Sequence, residues 1–360
     1  VGRPPRLKPA TLPAARAAPS AGSASAGAAS AREAAFIAAL AAALAVAVYR
    51  GGLAYGFSQD DFLSLARVRG LAPRLEGPWR IVANQWFWDA GVRLFGLDAR
   101  PFHLFALALH ATTSALLAWL LARRLPAPAA LLAACAYATH PAHATALWWA
   151  SATSDAAMAL LLLLATAAWF SRGAWRWLAV PAFAFALAWK ESALLFPLAL
   201  LAIATLGPGA RRDAREAVRD PVLIALAVVA LFWAAGIASF VRGLSAAGNA
   251  YEPSPAAMGR NLLAYASWIP APLGWLLRDA SDDARPAFVA TGAIVLALML
   301  SLLAWRRWRA RGAAGALAAE LLLLAPVLPL GSHTYRYYLC APLLAGASAL
   351  AALFAAATER

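Results

Sequence analysis

The chain has 360 residues, of which 63% are hydrophobic and only 13% charged, with a mean hydropathy of +0.65. A soluble domain would be about a quarter charged, so this composition excludes a water-soluble globular protein. The net charge of +14 does not mark a nucleic-acid binder, because the basic residues sit in short hinges between apolar runs, where membrane orientation requires them.

Residues 1–32 are rich in Ala, Pro, Ser and Arg and have no apolar face, which predicts a disordered cytoplasmic tail. The tail does not read as a signal peptide, since the first apolar run begins only near Ala34 and no clear cleavage site follows. Residues 33–360 then form one transmembrane domain. Its apolar runs fall at about 34–49, 102–122, 127–139, 154–171, 176–190, 192–206, 221–241, 286–305, 314–330 and 339–357. Most are near the length needed to cross a roughly 30 Å hydrocarbon core. They are continuous and rich in Ala and Leu rather than alternating, so they predict helices and not a barrel. The third and fifth are short and must lean on their neighbours. A further stretch, 262–277, is broken by Pro270 and Pro272 and reads as interfacial or re-entrant. The fold class is therefore all-α, a polytopic integral membrane protein of about ten spans.

Ten crossings put both ends on one side. The hinges on that side carry 18 Lys and Arg against 6 acids, and the opposite side 13 against 11. The positive-inside rule makes the first side cytoplasmic. The outer side then holds a first large loop, 50–101, with interfacial helices, and a second, 242–285. No internal repeat supports an inverted-repeat transporter. Cys135 and Cys340 lie in or beside apolar stretches and give no disulfide framework.

The unusual polar residues gather on the outer side. Ser58-Gln59-Asp60-Asp61 follows the first span; adjacent carboxylates repel, and one of them can accept a proton from an attacking hydroxyl. The same pair also fits a solvated loop or a helix N-cap. Trp79-Arg80 and Asn84-Gln85-Trp86-Phe87-Trp88-Asp89 suit a helix in the headgroup layer or a sugar-stacking surface. His103 and His110 lie seven apart on one helical face, where a packing hydrogen bond is the simpler role. His140-Pro-Ala-His143 joins two spans; with Asp155 it is a weak metal candidate, and no metal or other cofactor is required.

Lys190-Glu191 interrupts the apolar stretch from Trp177 to Leu206. One straight helix of that length would run about 45 Å, too long for the core, so the chain must break there. The pair is either mutually neutralising or a cation aimed at an anionic substrate. Arg336 stands among Tyr335, Tyr337 and Tyr338 before the last span; it is either part of an interface belt or a phosphate ligand.

In this order the residues resemble the GT-C membrane glycosyltransferases. They are similar above all to the protein O-mannosyltransferase branch, with its transmembrane-and-tetratricopeptide-repeat mannosyltransferases and their bacterial relatives. The resemblance runs from 34 to about 345. Asp60-Asp61 matches the family's acidic pair after the first helix. His140 to His143 matches its His-Pro-x-His-x-Glu loop, with Thr145 or Ala146 where the acid stands. Lys190-Glu191 matches its Lys-Glu, and Thr334 to Pro342 its Glu-Arg-Tyr-Leu-Tyr-Leu-Pro, with Tyr335 in place of Glu. The family's Tyr-Arg-Pro-Leu reads here as Pro78-Trp79-Arg80-Ile81, and no tetratricopeptide repeats occur within these residues.

The resemblance implies a sugar moved from a polyprenyl-phosphate donor to a protein, lipid or glycan acceptor on the periplasmic side of the inner (plasma) membrane. Membrane lipid is the surrounding partner, and nucleic acid is not one. Asp60 is implied as base and Asp61 as its positioning neighbour. Arg336, Lys190 and Arg80 bind the donor phosphate, and His140, His143, Glu191, Trp86, Tyr335 and Tyr337 line the site. Inversion would follow from a single displacement. The alternative classes are a transporter or flippase for a lipid-linked or anionic solute, which needs access from both faces, and a catalytically silent scaffold.

Overall fold

The computed structural model describes residues 28–75, 80–206, 214–246, 254–270, 286–304, 312–331 and 333–358. Every helix among them follows an apolar run or a polar amphipathic one. In chain order they are α1 (Ala31–Tyr49), α2 (Asp60–Val68), α3 (Phe87–Phe95), α4 (Arg100–Ala122), α5 (Ala127–Ala138), α6 (His143–Trp148), α7 (Thr153–Trp169), α8 (Ala179–Trp189), α9 (Phe196–Leu206) and α10 (Ala214–Val218). They continue with α11 (Pro221–Ala246), α12 (Pro255–Trp268), α13 (Pro286–Ala304), α14 (Ala313–Leu324) and α15 (Pro342–Thr358). Each of the ten predicted spans coincides with one of these helices. Four, beginning at Ala31, Arg100, Ala150 and Pro221, are long and apolar enough to cross a membrane; five others are shorter apolar helices.

α1 shows how small side chains build the bundle. Ala34, Ile37, Ala41, Ala45 and Tyr49 recur every three or four residues and are buried, while Phe36, Val46 and Val48 on the other face are exposed. Alanine lets backbones approach closely, the packing mode that serves where lipid removes the hydrophobic drive between helices. α1 lies on α4 and α5, α4 on α7, α7 on α8 and α8 on α11. α9 packs on α14, α14 on α15 and α15 on α5, which closes the bundle, while α12 flanks it against α13. The twelve-residue α5 would span only about 18 Å, and it is enclosed by neighbours through six buried residues, from Ala129 to Ala138.

Several expectations need correction. The 1–32 tail is too long: α1 begins at Ala31, where Ser30 and Glu33 form a capping box. Residues 1–27 lie outside the described residues, as does Trp79. The stretch predicted as interfacial or re-entrant, 262–277, begins as the end of α12, where Tyr265, Ala266, Ser267 and Trp268 are buried; 271–277 lies outside the described residues. Trp88 is not a headgroup anchor. It packs in a core with Leu65, Phe102 and Ala150, on Phe57 and Phe87.

Candidate active site

The polar side chains converge on one end of the bundle, and the chain reaches them through strained or broken backbone. Gln59, just before α2, has φ +46°, and Arg80 has φ +45°, the left-handed region that only glycine enters without cost. One residue past Gln59, Asp60 and Asp61 part company, because successive side chains on a helix point about 100° apart. Asp61 is wholly buried. Its carboxylate accepts from the Ser58 amide (3.0 Å), the Ser151 amide (2.8 Å) and the Ser151 hydroxyl (2.6 Å), tying α2 to the turn before α7. Burial pushes its carboxyl above the usual range, while those hydrogen bonds pull the other way. Asp60 remains exposed.

The predicted break at Lys190 is present. Lys190 is extended (φ −158°, ψ 129°) between α8 and a short 3-10 turn, Glu191–Leu195. Its ammonium is buried against the Asp155 carboxylate at the start of α7. It also lies 4.9 Å and 4.6 Å from the ring centres of Tyr337 and Tyr338, within cation–π range. Glu191 does not neutralise Lys190. It holds Arg80 in a two-pronged ion pair, with Arg80 Nε donating to Oε2 at 2.6 Å. A buried ion pair and a half-buried one thus stand side by side, and Asp155 lies within electrostatic reach of Arg80 and Glu191 as well as Lys190.

The 333–339 segment roofs these pairs. Asn261 on α12 donates to the carbonyls of Leu328 (2.8 Å) and Leu330 (3.1 Å) and accepts from the Thr334 hydroxyl (2.8 Å). Arg260 donates to the Gly331 carbonyl. So clamped, Tyr335 stacks on Tyr337 (5.1 Å, 10°), and the Arg336 guanidinium lies over Trp268 (5.4 Å). His333 is within electrostatic reach of both Arg80 and Asp60, which links the exposed carboxylate to the ion pairs. Burial, then Arg80, hold His333 below the usual histidine range.

The histidine loop sits behind this surface. His140 Nδ1 accepts from the Ala142 amide, so Nε2 carries the proton and donates to the Ile269 carbonyl at 3.1 Å. Burial holds it neutral, below the usual value. His143 Nδ1 meets the Cys340 thiol at 3.3 Å, and its ring lies 4.3 Å from His110. The metal reading of His140, His143 and Asp155 is corrected: the histidines bind backbone and thiol, and Asp155 binds Lys190. Among the described residues no group of three His, Cys, Asp or Glu is placed to hold a metal. His110 makes the expected packing bond, to the Ala138 carbonyl at 3.0 Å; His103 is buried, and neither ring nitrogen has a hydrogen-bond partner.

The structure therefore gathers Arg80, Lys190, Glu191 and Tyr337, with Tyr335 stacked on Tyr337 and Arg336 on the Trp268 side; Asp60 meets this group only in the electrostatic reach that it and Arg80 share at His333. Trp86, 56% exposed at the end of a π-helical turn (Val82–Trp86), stands apart from this cluster. Sequence reasoning missed Asp155 as the partner of Lys190, Ser151 as that of Asp61, and the placing of His333 and Trp268. Only the isolated charge of Asp155 at the head of an apolar run could have signalled any of them.

Residues 81–235 match the dolichyl-phosphate-mannose-protein mannosyltransferase family. No curated protein and no solved structure matches. Over that stretch, which is less than half of its length, the chain is similar to a family of GT-C membrane mannosyltransferases. The matched stretch contains His140, His143, Asp155, Lys190 and Glu191; Asp60, Asp61, Arg80 and Arg336 fall outside it.

Proposed function

We propose, from that mannosyltransferase-like character, that the chain transfers a sugar from a polyprenyl-phosphate donor to a hydroxyl on a protein, lipid or glycan acceptor outside the cytoplasm. In this reading the chain from α1 onward forms one domain of about ten crossings in the inner (plasma) membrane, with both ends cytoplasmic. The loops 50–101 and 242–285 face the periplasm. The observation that carries it is the side-by-side pairing of Lys190 with Asp155 and Arg80 with Glu191, roofed by Tyr337 and Tyr338, at the same end as the exposed Asp60.

The chemistry suits a phosphate leaving group. The Asp60 carboxylate takes the proton of the acceptor hydroxyl, the freed oxygen attacks the anomeric carbon, and the sugar–phosphate bond breaks with inversion. The electron pair leaves on the polyprenyl phosphate, which needs fixed positive charge and no general acid. Arg336, half-buried over Trp268, is its ligand, with Lys190 and Arg80 acting as oriented charge from within their ion pairs. Asp61, fastened to Ser58 and Ser151, fixes the turn that presents Asp60. Glu191, Tyr335 and Tyr337 line the donor site, His140 and His143 support it from behind, and Trp86 is left to the acceptor side. No step needs a metal.

A solute transporter would need a polar path through the bundle, and the cavity at the opposite end is lined almost wholly by apolar side chains. The test is release of polyprenyl phosphate from polyprenyl-phosphate mannose by liposome-reconstituted protein given a mixed periplasmic acceptor extract. Asp60→Asn should lower turnover roughly 100- to 10,000-fold. Turnover unchanged in that variant removes Asp60 as base.

A further inference from the structure

At the end of the bundle away from the ion pairs lies a cavity of about 220 Å³ between α4, α7, α9, α14 and α15. Its floor is buried leucine and alanine, among them Leu117, Leu162 and Ala199. On α14 its lining runs from Gly312 to Leu323, about 16 Å at 1.5 Å per residue, half the depth of a bilayer core. Burial falls toward one side: Leu120, Leu125 and Ile203 are half-buried, and Phe170 and Arg124 at the rim are exposed. The Arg124 guanidinium rests over the Phe170 ring at 5.6 Å. Its stem lines the cavity while its charged head reaches the mouth, the snorkelling arrangement of a cation at a membrane boundary. The polar groups inside are already used: the Thr166 and Ser348 hydroxyls donate to the Leu162 and Leu344 carbonyls of their own helices.

An apolar hollow of this shape does not hold water, which needs polar partners, and in a bilayer the material at its mouth is hydrocarbon. Among the described residues that line it, Arg124 is the cation, and a cation at that mouth selects which hydrocarbon. We propose that this cavity is a binding site for an anionic phospholipid, one acyl chain lying between α4, α7, α9, α14 and α15 and the phosphate on Arg124. The site is separate from the ion-pair end and does not depend on the transferase reading. Arg124 supplies the charge match and the leucine floor supplies the chain match; neither alone distinguishes a lipid from free phosphate or from a neutral lipid.

The test uses delipidated full-length protein in a non-ionic detergent, with bound lipid read by native mass spectrometry. Phosphatidylglycerol should be retained at least about tenfold over phosphatidylcholine of the same chains, and sn-glycerol 3-phosphate should not compete. Arg124→Gln should bring the two lipids within about twofold, Arg124→Lys should keep most of the preference, and Arg123→Gln, outside the cavity, should leave it intact. Ala199→Phe, which fills the floor, should abolish retention of both lipids. Equal retention of the two lipids by the wild type overturns the proposal. So does a preference that survives Arg124→Gln, or one that falls equally in Arg123→Gln. If Ala199→Phe fails to fold, the two arginine variants still decide.

Discussion

The two ends of the bundle differ in how they handle most of their charge, although each holds an ion pair within the protein. At one end, charged groups are paired inside the protein: Lys190 with Asp155, Arg80 with Glu191, and Asp61 with the amides of Ser58 and Ser151. At the other, Arg123 and Arg124 lie over the rings of Trp119 and Phe170 and point outward, while Arg176 pairs with Asp220. A buried charge needs a partner fixed by tertiary structure, whereas an exposed arginine at a helix end needs only the headgroup layer. The first arrangement can orient charge on a substrate. The second anchors a helix, and at Arg124 it adds an apolar chamber.

The sharpest way to break this contrast is to move the same kind of change between the ends. Asp60→Asn at the paired end should remove two to four orders of magnitude of turnover, while Arg124→Gln at the other should leave turnover within about threefold; both are read in the liposome assay. Comparable losses in the two would erase the distinction. Next in size is the Lys190–Asp155 pair. Lys190→Met alone strands a buried carboxylate and should cost about 3–5 kcal/mol, and Lys190→Met with Asp155→Leu should recover most of that. Thermal unfolding in detergent gives the stabilities, and donor turnover should stay low in the double variant. Recovered turnover would mean that the pair is structural alone.

Asp61→Ala should cost about 2–3 kcal/mol through the stranded Ser58 and Ser151 donors, against almost nothing for removal of its exposed neighbour Asp60. Equal costs would show that α2 does not depend on the Asp61 carboxylate. The smallest effect is in pH. The folded His140 lies below its ordinary 6.5, held there by burial. Its contribution to stability is therefore present above about 6.5 and is lost as pH falls toward the folded value, because the unfolded chain takes up the proton first. A pH series of unfolding temperatures should show this slope, and His140→Asn should flatten it. A slope of opposite sign would mean that His140 is charged in the fold.

Much of this molecule was legible in the residues themselves. The ten apolar runs became helices at nearly the predicted bounds, and the break at Lys190 appeared where a single helix would have outrun the bilayer. The capping box at Ser30 and Glu33 was readable too, although the tail was drawn past it. The candidate site was half legible. Lys190, Glu191, Arg80, Tyr337 and the Asp60–Asp61 pair were found as types. Their partners were not, since Lys190 meets a carboxylate 35 residues away and Arg80 one 111 residues away. Trp88 misled for a related reason: an aromatic looks alike at an interface and in a core.

By itself the sequence determined the all-helical, membrane-embedded character and the places where chain direction changes. Both are local: lipid offers the backbone no hydrogen bonds, so any sufficiently long apolar run must satisfy its own. Only the tertiary structure decided that Lys190 faces Asp155 rather than Glu191, that Asp61 is inside and Asp60 outside, and that apolar side chains from five helices leave a hollow beneath Arg124. Those outcomes depend on which helices become neighbours and how each is rotated, and packing between distant segments sets both.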